Sequence, residues 1–325
     1  MSPEVTNLIA QRIRQANHIL IVTHIRPDGD AIGSLIGLGM ALINYGKKVQ
    51  MYIDDPVPYN FHHLKGSSLI SNNLNGTYDL AIAVDCSDVS RIGALGKNGF
   101  HWDINIDHHI TNEGYAEINL IEPDAVATSE IIATHLKEWG LMFSKEVAEA
   151  LLTGIITDTI GFRTSNMKPS VLRLAADLME YGADLVSLYA HGLYYRSFEA
   201  MRFWGAGLSR LARRGPIVWT ALTMEDRKAV GYSGKDDADL INVLSSINDA
   251  KVSIIFVEQP NGNVKVSWRA ISGLDVSMIA MQYGGGGHPA AAGAEISGDL
   301  NTIMENILEK TYQQLFDAER SLQTS

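Results

Sequence analysis

A buried strand that leads into a buried helix through a short polar loop constrains the fold of this chain more than any other feature. The apolar run HILIVTH at 18–24 ends in polar residues, the loop RPDGD follows, and AIGSLIGLGMALINYG at 31–46 is apolar almost throughout. A helix that is apolar on all sides has to be covered by a sheet and by a second layer of the protein. Gly46 is a natural end for this helix. The segment therefore predicts an α/β fold.

Further strands are predicted by similar apolar runs, and helical segments follow them. KVQMYID at 48–54, DLAIAVD at 79–85 and INID at 104–107 indicate strands, and the pattern turns helical from Ala125 to Arg196. Strands that alternate with helices through short turns are typical of a mainly parallel sheet flanked by helices. We therefore predict a first α/β domain of this kind.

The C-terminal half predicts a smaller α/β domain. PIVWTAL at 216–222, KVSIIFVEQ at 251–259 and NVKVSWRA at 263–270 indicate strands, and Asn261-Gly262 is a strong signal for a hairpin turn between the last two. Helical segments follow the first and the last of these strands. The pattern thus changes from that of the first half of the chain.

The boundary between the two domains is placed in a predicted connecting helix. RSFEAMRFWGAGLSRLARRG at 196–215 has a helical pattern and ends at a basic turn. The predicted organisation is therefore a first domain at 1–195, a linker helix at 196–215 and a second domain at 216–325.

Composition and charge exclude several classes of protein. In 325 residues, no stretch reaches the roughly 18 consecutive apolar residues of a membrane-spanning helix, and the N-terminal segment lacks the apolar block of a signal peptide. The single cysteine, Cys86, excludes an internal disulfide and fits a reducing compartment. A formal charge of -11 argues against a broad grip on long duplex nucleic acid. We therefore expect a soluble, cytoplasmic protein without a membrane partner, and any nucleic-acid substrate is expected to be short.

Acidic residues and histidines stand where the predicted strands end. Taken one at a time, such residues are more often turn formers, helix caps or surface histidines than ligands. In open α/β sheets, however, ligands collect at the carboxyl ends of the strands. Three strands and one helical segment carry the candidates, which are His24, Asp28, Asp30, Asp85, Asp107, His108, His109 and Asp158.

The joint occurrence of these groups predicts a metal centre. A cluster of buried carboxylates repels itself unless cations lie between them. A mixed set of carboxylate and imidazole ligands, without a thiolate cluster, favours a first-row ion such as Mn²⁺ over a thiolate-bound Zn²⁺, and imidazole is less natural for Mg²⁺. The predicted ion is therefore Mn²⁺.

The four elements, in this order, resemble the DHH phosphoesterase superfamily, which is named after the tripeptide present here as Asp107-His108-His109. Near the C-terminus, GGGGHPAAAG at 284–293, preceded by VKVSWRA, is similar to the DHHA1 domain that accompanies the catalytic domain in one branch of the superfamily. A glycine-rich loop with free N–H groups can approach a phosphate closely. The resemblance spans the whole chain and implies a DHH catalytic domain followed by a DHHA1 substrate-binding domain.

The resemblance implies two divalent cations, with Mn²⁺ preferred and Mg²⁺ or Co²⁺ as alternatives. Such a pair lowers the pKa of a shared water and clamps the oxygens of an in-line displacement. One cation is then held by His24, Asp28 and Asp85, and the other by Asp30, Asp85, His108 and Asp158. Asp85 bridges them, and His109 faces the phosphate, where it stabilises charge or donates a proton. The implied catalytic residues are His109, Asp85 and Asp158.

The second domain is implied to hold the terminal phosphate or the nucleotide of the substrate. Arginine suits this role because its planar fork binds phosphate in a bidentate manner. Arg163 in GFRTSN is a further candidate, and its alternative is an ordinary surface arginine after a helix. A homodimer also agrees with the resemblance. The implied substrate-binding residues are His109, Arg163, Arg269, Gly285, Gly286, Gly287 and His288.

Within the superfamily, length and layout are most similar to the NrnA-type group of oligoribonucleases and 3'-phosphoadenosine 5'-phosphate phosphatases. RecJ-type exonucleases add nucleic-acid-binding modules, and the membrane cyclic-dinucleotide phosphodiesterases add transmembrane segments. The implied substrates are short RNA or DNA oligonucleotides, cleaved to mononucleotides, and nucleotide bisphosphates. The segment TIGFRTSN, which follows Asp158, departs from the Gly-Arg-Phe-Arg-like stretch of this group, and the departure bears on substrate choice rather than on the metal chemistry.

Two other functions stay open at this point. One is a phosphatase or pyrophosphatase for another small phosphorylated compound, although family II inorganic pyrophosphatases lack the GGGGH segment. The other is a non-catalytic, nucleotide-binding regulator. The intact metal-ligand set argues against a regulator, because a protein that only binds nucleotides has no need for all of these groups.

Overall fold

Two units make up the chain in the computed structural model, which describes residues 3–97, 99–271 and 273–323. The first unit ends at Tyr195 and the second begins at Arg196. Each unit has its own six-stranded sheet and its own hydrophobic core. Among the helices that the structure describes, none is both long enough and apolar enough to cross a membrane.

The sheet of the first unit is parallel throughout. Its strands are β1 (His18–Val22), β2 (Lys48–Tyr52), β3 (Ile70–Ser71), β4 (Leu80–Val84), β5 (Ile104–Asp107) and β6 (Ile118–Ile121). Their order is β3-β2-β1-β4-β5-β6, so β1, β4 and β5 are neighbours at the centre. The centre is almost fully buried, as expected for a parallel sheet covered on both faces. The four strands predicted for this unit are confirmed, whereas the sequence did not reveal β3 and β6.

Helices flank this sheet, which confirms the predicted fold class. They are α1 (Pro3–Gln15), α2 (Gly29–Asn44), α3 (Ala94–Lys97), α4 (Thr128–His135), α5 (Lys145–Asp158), α6 (Pro169–Glu180) and α7 (Leu185–Tyr189), and a π-helical turn, Ala190–Tyr194, extends the last of them. The helix α2 is buried from Gly29 to Leu42, in agreement with its almost wholly apolar sequence.

Glycine residues allow α2 and α5 to pack with their backbones close together. A Cβ atom built on Gly33 would lie 2.6 Å from the carbonyl oxygen of Ala150, and one built on Gly29 would lie 2.2 Å from Oγ1 of Thr157. These contacts show that the two helices run antiparallel. The packing therefore brings the first turn of α2 against the last turn of α5, so that acidic residues at both helix ends come together.

A histidine at the end of α4 is held between two glutamates. Nε2 of His135 lies 2.9 Å from Oε1 of Glu122, and Nδ1 lies 2.9 Å from Oε2 of Glu138. The hydrogen bond with Glu122, opposed by burial and aided by Glu138, raises the pKa of His135 above its ordinary value. A group whose pKa is higher in the folded state adds stability below its unfolded pKa, and that stability is lost as pH rises through the folded pKa.

We expect His135→Gln to lower the melting temperature more at about pH 6 than at about pH 9, because the stabilising charge of the imidazolium is present only on the acidic side. Thermal unfolding followed by circular dichroism measures the difference. His101→Gln is the matched control, because His101 also pairs with a glutamate, Glu117, but on the exposed surface. A difference between wild type and His135→Gln that does not change with pH would contradict the prediction.

The second unit is built on a mixed sheet. Its strands are β7 (Ala212–Arg214), β8 (Ile217–Leu222), β9 (Val252–Glu258), β10 (Asn263–Ala270), β11 (Gly286–His288) and β12 (Ala291–Ser297), and its helices are α8 (Phe198–Ser209), α9 (Met224–Val230), α10 (Leu240–Leu244), α11 (Ser277–Met281) and α12 (Leu300–Gln323). The order is β11-β12-β10-β9-β8-β7, and only β8 and β9 pair in parallel among these strands. Trp268 and Phe256 pack with Ile307 of α12, and Leu222 packs with Phe203 of α8.

The segment 196–215, predicted as one connecting helix, is divided. Its helical part is α8, and Ala212–Arg214 forms β7, which pairs antiparallel with β8. The whole segment lies in the second unit, because the buried ring of Phe203 packs into a core that includes Leu222. The apolar residues of this stretch thus form part of the core of the second unit, and the basic turn at its end is a strand.

Candidate functional site

The candidate site of the first unit lies at the carboxyl edge of its parallel sheet. β1, β4 and β5 end there as neighbours, and the packing of α2 on α5 places two helix ends at the same edge. The predicted residues found there are His24 after β1, Asp28 and Asp30 at the start of α2, Asp85 after β4, Asp107, His108 and His109 at the end of β5, and Asp158 at the end of α5.

A first cluster joins His24, Asp28 and Asp85. Nε2 of His24 lies 3.5 Å from Oδ2 of Asp85 and 3.8 Å from Oδ2 of Asp28. Nδ1 of the same ring lies 2.9 Å from the carbonyl oxygen of Ile25, so Nδ1 carries the donated proton. Since Oδ1 of Asp28 caps α2 through the N–H groups of Asp30 and Ala31, its Oδ2 faces the cluster. The three side chains are therefore oriented to offer one nitrogen and two oxygens to a cation.

A second cluster joins Asp30, His108 and Asp158. Nε2 of His108 lies 3.5 Å from Oδ2 of Asp158, and Nδ1 lies 3.3 Å from the carbonyl oxygen of Ala125. The backbone contact again directs Nε2 towards the carboxylates. This cluster contains the residues that the resemblance assigned to the second cation, apart from Asp85.

Asp30 is held by the N-terminus of α4. Its Oδ2 accepts the N–H of Thr128 at 2.6 Å, and its Oδ1 accepts the N–H of Ser129 at 3.0 Å and the hydroxyl of Ser34 at 3.2 Å. The first N–H groups of a helix have no partner within the helix and favour an anion. Sequence analysis missed these three supporting residues, although Thr-Ser at the start of a predicted helix was a signal for such a contact.

Asp85 lies between the two clusters. Its Oδ2 faces His24, whereas its Oδ1 lies 3.8 Å from Nε2 of His108 and accepts the hydroxyl of Thr128 at 3.0 Å. The backbone at Asp85 is left-handed, with φ of 53°, a conformation that aspartate tolerates better than most residues. The two carboxylate oxygens thus face different clusters, which is the arrangement of a bridging ligand.

The electrostatics of the clusters fit divalent cations. Burial, together with the negative charge of Asp85, raises the pKa of Asp30 to about 7. Burial and the charge of Asp30 likewise raise the pKa of Asp158. Within the described residues, the ion pairs of Asp28, Asp85 and Asp158 are with histidines and not with lysine or arginine. The crowded carboxylates lack positive charge, and their oxygen and imidazole donors suit a hard or first-row divalent ion.

Imidazole groups partly take the place of that positive charge. Burial lowers the pKa of His24, but its hydrogen bond with Asp85 and the charge of Asp28 raise the pKa above the ordinary value. In turn, although burial opposes the change, the hydrogen bond from His24 lowers the pKa of Asp85 well below its usual range. The raised pKa of His24 and the lowered pKa of Asp85 thus have a common cause, which is the attraction between this imidazole and this carboxylate.

His109 is held differently from the other two histidines. Its Nδ1 lies 2.7 Å from Oδ1 of the fully buried Asp107, which also accepts the backbone N–H of His108 at 2.9 Å. An aspartate that accepts from Nδ1 fixes the tautomer and the orientation of the imidazole. Asp107 is therefore a positioning residue for His109, a role that sequence analysis did not assign.

The turn that follows α5 contains the predicted Arg163. Ile160, Gly161 and Phe162 all have positive φ, of 49°, 73° and 64°. A Cβ on Gly161 would lie 2.0 Å from the hydroxyl of Tyr189, so a larger residue there would displace this tyrosine of α7 and would also have to adopt a left-handed backbone. The side chain of Arg163 is exposed, and the described residues show no ion pair between it and either cluster. The structure therefore does not bring Arg163 into the candidate metal centre.

In the second unit, Arg269 and His288 lie in one row across the sheet. Arg269 on β10 and His288 on β11 are both paired with Ala291 on the intervening strand β12. Directly paired residues project their side chains from the same face of a sheet. Burial lowers the pKa of Arg269, while the charges of Asp237 and Asp239 oppose the change. Two of the predicted substrate residues thus share a face of the sheet, and the only side chain between them in this row is the methyl group of Ala291.

The glycine-rich segment, predicted as a loop, is an edge hairpin in which β11 pairs with β12. A Cβ on Gly285 would lie 2.2 Å from the carbonyl oxygen of Gly293, and Gly287 combines φ of 138° with a backbone oxygen at 2.4 Å. Those two positions need glycine for the fold. A Cβ on Gly286 would have nothing within 4 Å, and its φ is not in the left-handed region. The fold therefore does not require glycine at 286, and the absence of a side chain there leaves open space beside β11.

The fold and this site define an α/β protein with a candidate centre for divalent cations. The chain is 36% identical over 301 residues to a protein of Thermus thermophilus named "Bifunctional oligoribonuclease and PAP phosphatase NrnA", covering 91% of this chain and 90% of that protein. A protein of the same name from Mycoplasma genitalium is 30% identical over 306 residues, covering 92% and 95%. The family model described as "DHH family, N-terminal domain" matches residues 18–155, and the model of the DHHA1 domain matches 225–315. The chain belongs to the DHH family, as predicted, and combines the DHH and DHHA1 domains.

A solved structure shares this fold. The crystal structure of an exopolyphosphatase-related protein from Bacteroides fragilis matches with a TM-score of 0.88 and 26% identity, over 98% of each chain. The two units of this chain therefore have counterparts over nearly the whole length of a solved structure.

Proposed function

We propose that this protein is a phosphoesterase that uses two divalent cations to hydrolyse short oligonucleotides to mononucleotides and 3'-phosphoadenosine 5'-phosphate to AMP. The observation that carries the proposal is the pair of carboxylate and histidine clusters that meet at Asp85. The substrates are proposed from the names of the relatives that are similar over nine-tenths of the chain.

The residues of the first unit are proposed to hold the cations, which supply an activated water and positive charge for the phosphoryl oxygens when bound. Mn²⁺ is the proposed ion because imidazole and carboxylate donors occur together, and thiolate is absent from both clusters. The proposed ligands are His24, Asp28 and Asp85 for one ion, and Asp30, Asp85, His108 and Asp158 for the other.

His109 is proposed to act on the oxygen that leaves. Its Nδ1–H donates to Asp107 at 2.7 Å, so Nε2 is the atom through which the ring is proposed to hold and pass a proton. The imidazole lies at the edge of the clusters, with Nδ1 3.7 Å from Oδ1 of Asp85. This position suits charge stabilisation and proton donation at the phosphate.

The face of the second unit that carries Arg269 and His288 is proposed to bind the terminal phosphate of the nucleotide. Arginine provides a bidentate donor, and the neighbouring glycine backbone allows a phosphate to approach its N–H groups closely. Arg163, in the turn after α5, is retained as a proposed contact to the substrate. Its exposed side chain is compatible with that role.

Gly286→Ala is expected to raise KM by about tenfold without lowering the melting temperature, because a methyl group there would fill space that a phosphate needs and would weaken about one charge-assisted hydrogen bond. Steady-state kinetics and thermal unfolding measure the two effects. Gly205→Ala, at a second glycine with nothing within 4 Å, is the control and is expected to leave KM unchanged; because Gly205 lies inside α8, alanine there should raise the melting temperature rather than lower it. Gly287→Ala is expected to destabilise the fold. An unchanged KM for every substrate in Gly286→Ala would contradict a phosphate-binding role for the strand.

Hydrolysis of a defined panel of phosphate compounds tests the proposed function. The purified protein with Mn²⁺ is incubated with dinucleotides, longer oligonucleotides, 3'-phosphoadenosine 5'-phosphate, pyrophosphate and polyphosphate, each with a chelator control. We expect cleavage of dinucleotides and of the bisphosphate, lost with the chelator. Cleavage of pyrophosphate or polyphosphate alone would replace the proposal by a polyphosphate-directed phosphatase, the alternative favoured by the name of the Bacteroides fragilis protein. Binding of nucleotides without turnover would favour a regulator.

A further inference from the structure

Two histidines outside the candidate metal centre form a stacked pair on the first unit. The ring centroids of His63 and His191 lie 4.0 Å apart, and the ring planes are inclined by 22°. Nδ1 of His63 lies 2.8 Å from the carbonyl oxygen of Asn60, and Nδ1 of His191 lies 2.9 Å from that of Ser187. Because a carbonyl oxygen only accepts, both Nδ1 atoms donate, and the two rings are fixed in orientation before a ligand binds.

The π-helical turn that carries one of these histidines packs against the last turn of α5. His191 lies in the turn Ala190–Tyr194, and widened helical turns of this kind occur frequently at functional sites. A Cβ built on Gly192 would lie 3.0 Å from Cγ2 of Thr157, the residue before Asp158. The residue that follows His191 in the chain thus packs directly on the end of α5, next to the proposed metal ligand Asp158.

One more aromatic ring adjoins the pair and another lies beside the neighbouring residue His62, and both are open to solvent. The ring of Tyr195 lies edge-on to His191 at 4.9 Å, and the ring of Tyr59 lies 5.8 Å from that of His62. Tyr195 is 60% exposed and Tyr59 is 86% exposed, so these rings add little to the hydrophobic core. Exposed aromatic rings of fixed orientation are the surfaces on which nucleobases stack, largely without regard to base identity.

The lowered pKa of His63 also favours a base over an anion. Burial lowers the pKa of His63, and the neighbouring His191 lowers it further. A ring with a lowered pKa is neutral at neutral pH. A neutral imidazole at His63 suits the π-face of a base better than it suits a phosphate.

We propose that His63 and His191 form a stacking surface for the base of the additional nucleoside that distinguishes an oligonucleotide from a nucleotide bisphosphate. This inference rests on the proposed function, since the scissile phosphate is taken to lie at the metal centre beside the π-helical turn. It names the part of the substrate that the first unit recognises. A dinucleotide uses the surface, and 3'-phosphoadenosine 5'-phosphate, which lacks the second nucleoside, does not.

Kinetics on the two substrates separate this surface from a general role in binding. His63→Ala and His191→Ala are expected to raise KM for a dinucleotide by roughly 5- to 100-fold, the range for loss of one stacked base, and to leave kcat unchanged. KM for 3'-phosphoadenosine 5'-phosphate is expected to stay at the wild-type value. His63→Phe, which keeps an aromatic ring, is expected to retain most of the affinity for the dinucleotide.

A matched control and a binding measurement accompany the kinetics. The ring of His18 also packs on an aromatic ring, that of Tyr78 at 4.8 Å, but His18 begins β1 at the opposite edge of the sheet. His18→Ala is therefore expected to behave as wild type. Binding is followed with phosphorothioate-linked dinucleotides that carry the fluorescent base 2-aminopurine at either position in turn, since stacking quenches this base. Quenching by wild type and by His63→Phe, lost in both alanine variants, is expected.

Each outcome decides the proposal. An unchanged KM for the dinucleotide in both alanine variants overturns the stacking surface even if the wild type cleaves dinucleotides. An equal rise of KM for both substrates also overturns it, because the effect would not depend on the second nucleoside. If the wild type cleaves neither substrate, the proposed function fails, and the fluorescence measurement decides alone. In that case, quenching that is equal in all variants, or absent in the wild type, overturns the stacking surface.

Discussion

Asp85→Asn is expected to lower kcat by on the order of 10³-fold or more, because one substitution removes negative charge from both clusters. The two carboxylate oxygens of Asp85 face different histidines, with Oδ2 3.5 Å from His24 and Oδ1 3.8 Å from His108. Asparagine keeps the shape of the side chain and tolerates the left-handed backbone found here, whereas alanine would add strain. Steady-state kinetics with Mn²⁺, together with elemental analysis of bound manganese, measures the loss.

The control for this variant is an aspartate at the other end of β4. Asp79 precedes β4, as Asp85 follows it, and its carboxylate accepts the backbone N–H groups of Asn17 and His18 at 2.9 Å. Asp79→Asn removes the same charge at the opposite edge of the sheet and is expected to retain full activity. If Asp85→Asn kept a kcat near that of wild type, the two clusters would not be the catalytic centre. A circular dichroism spectrum of Asp85→Asn that matches that of wild type is the check that a loss of activity does not come from unfolding.

The central part of the fold was predictable because its strands are buried on both faces. A strand of that kind must be a continuous apolar run, as β1 and β4 are, and such runs are visible without any partner. β3 and β6 lie at the two edges of the sheet and are only two and four residues long. Their pairing depends on β2 and β5 rather than on a pattern of their own, so the sequence did not reveal them.

The positions of the candidate ligands were predictable for a related reason. Parallel strands bring their carboxyl ends to the same side of the sheet. Polar residues directly after β1, β4 and β5 therefore meet there regardless of the conformation of the loops between the strands. The supporting contacts are not of this kind. The hydrogen bonds from Thr128 and Ser129 to Asp30 join residues 98 and 99 positions apart, and only the packed structure brings them together.

Glycine-rich sequence was the least informative about local structure. The segment that contains Gly286 carries no side chains with a period of two, so nothing in it predicted that it forms an edge strand paired with β12. Only the structure distinguishes glycines that the fold requires, such as Gly285, from one that it does not. Because of that distinction, the expected loss of phosphate binding can be assigned to one glycine of the GGGGH segment, Gly286.

His109→Ala is expected to lower kcat by about 10²- to 10⁴-fold, the usual range for loss of a general acid or base, with little change in KM. Since Nδ1 of His109 donates to Asp107 at 2.7 Å, the ring is oriented by a carboxylate rather than by a backbone carbonyl, in contrast to His24 and His108. We therefore expect bound manganese to stay at the wild-type level in His109→Ala. Elemental analysis and steady-state kinetics on the same preparation measure both quantities.

The content of bound metal decides between two roles for His109, because Asp85, His108 and His109 also come close enough together to hold an ion. Loss of manganese from His109→Ala would make the residue a ligand and would contradict its proposed role at the phosphate. Asp107→Asn provides a graded test. A positioning residue that acts through His109 should lower kcat less than removal of the imidazole does, and should leave the metal in place. His101→Ala, before the other end of β5, is the control and is expected to keep the kcat of wild type, because the ion pairs of His101 in the described structure are with Glu117 and Asp103 and not with either cluster.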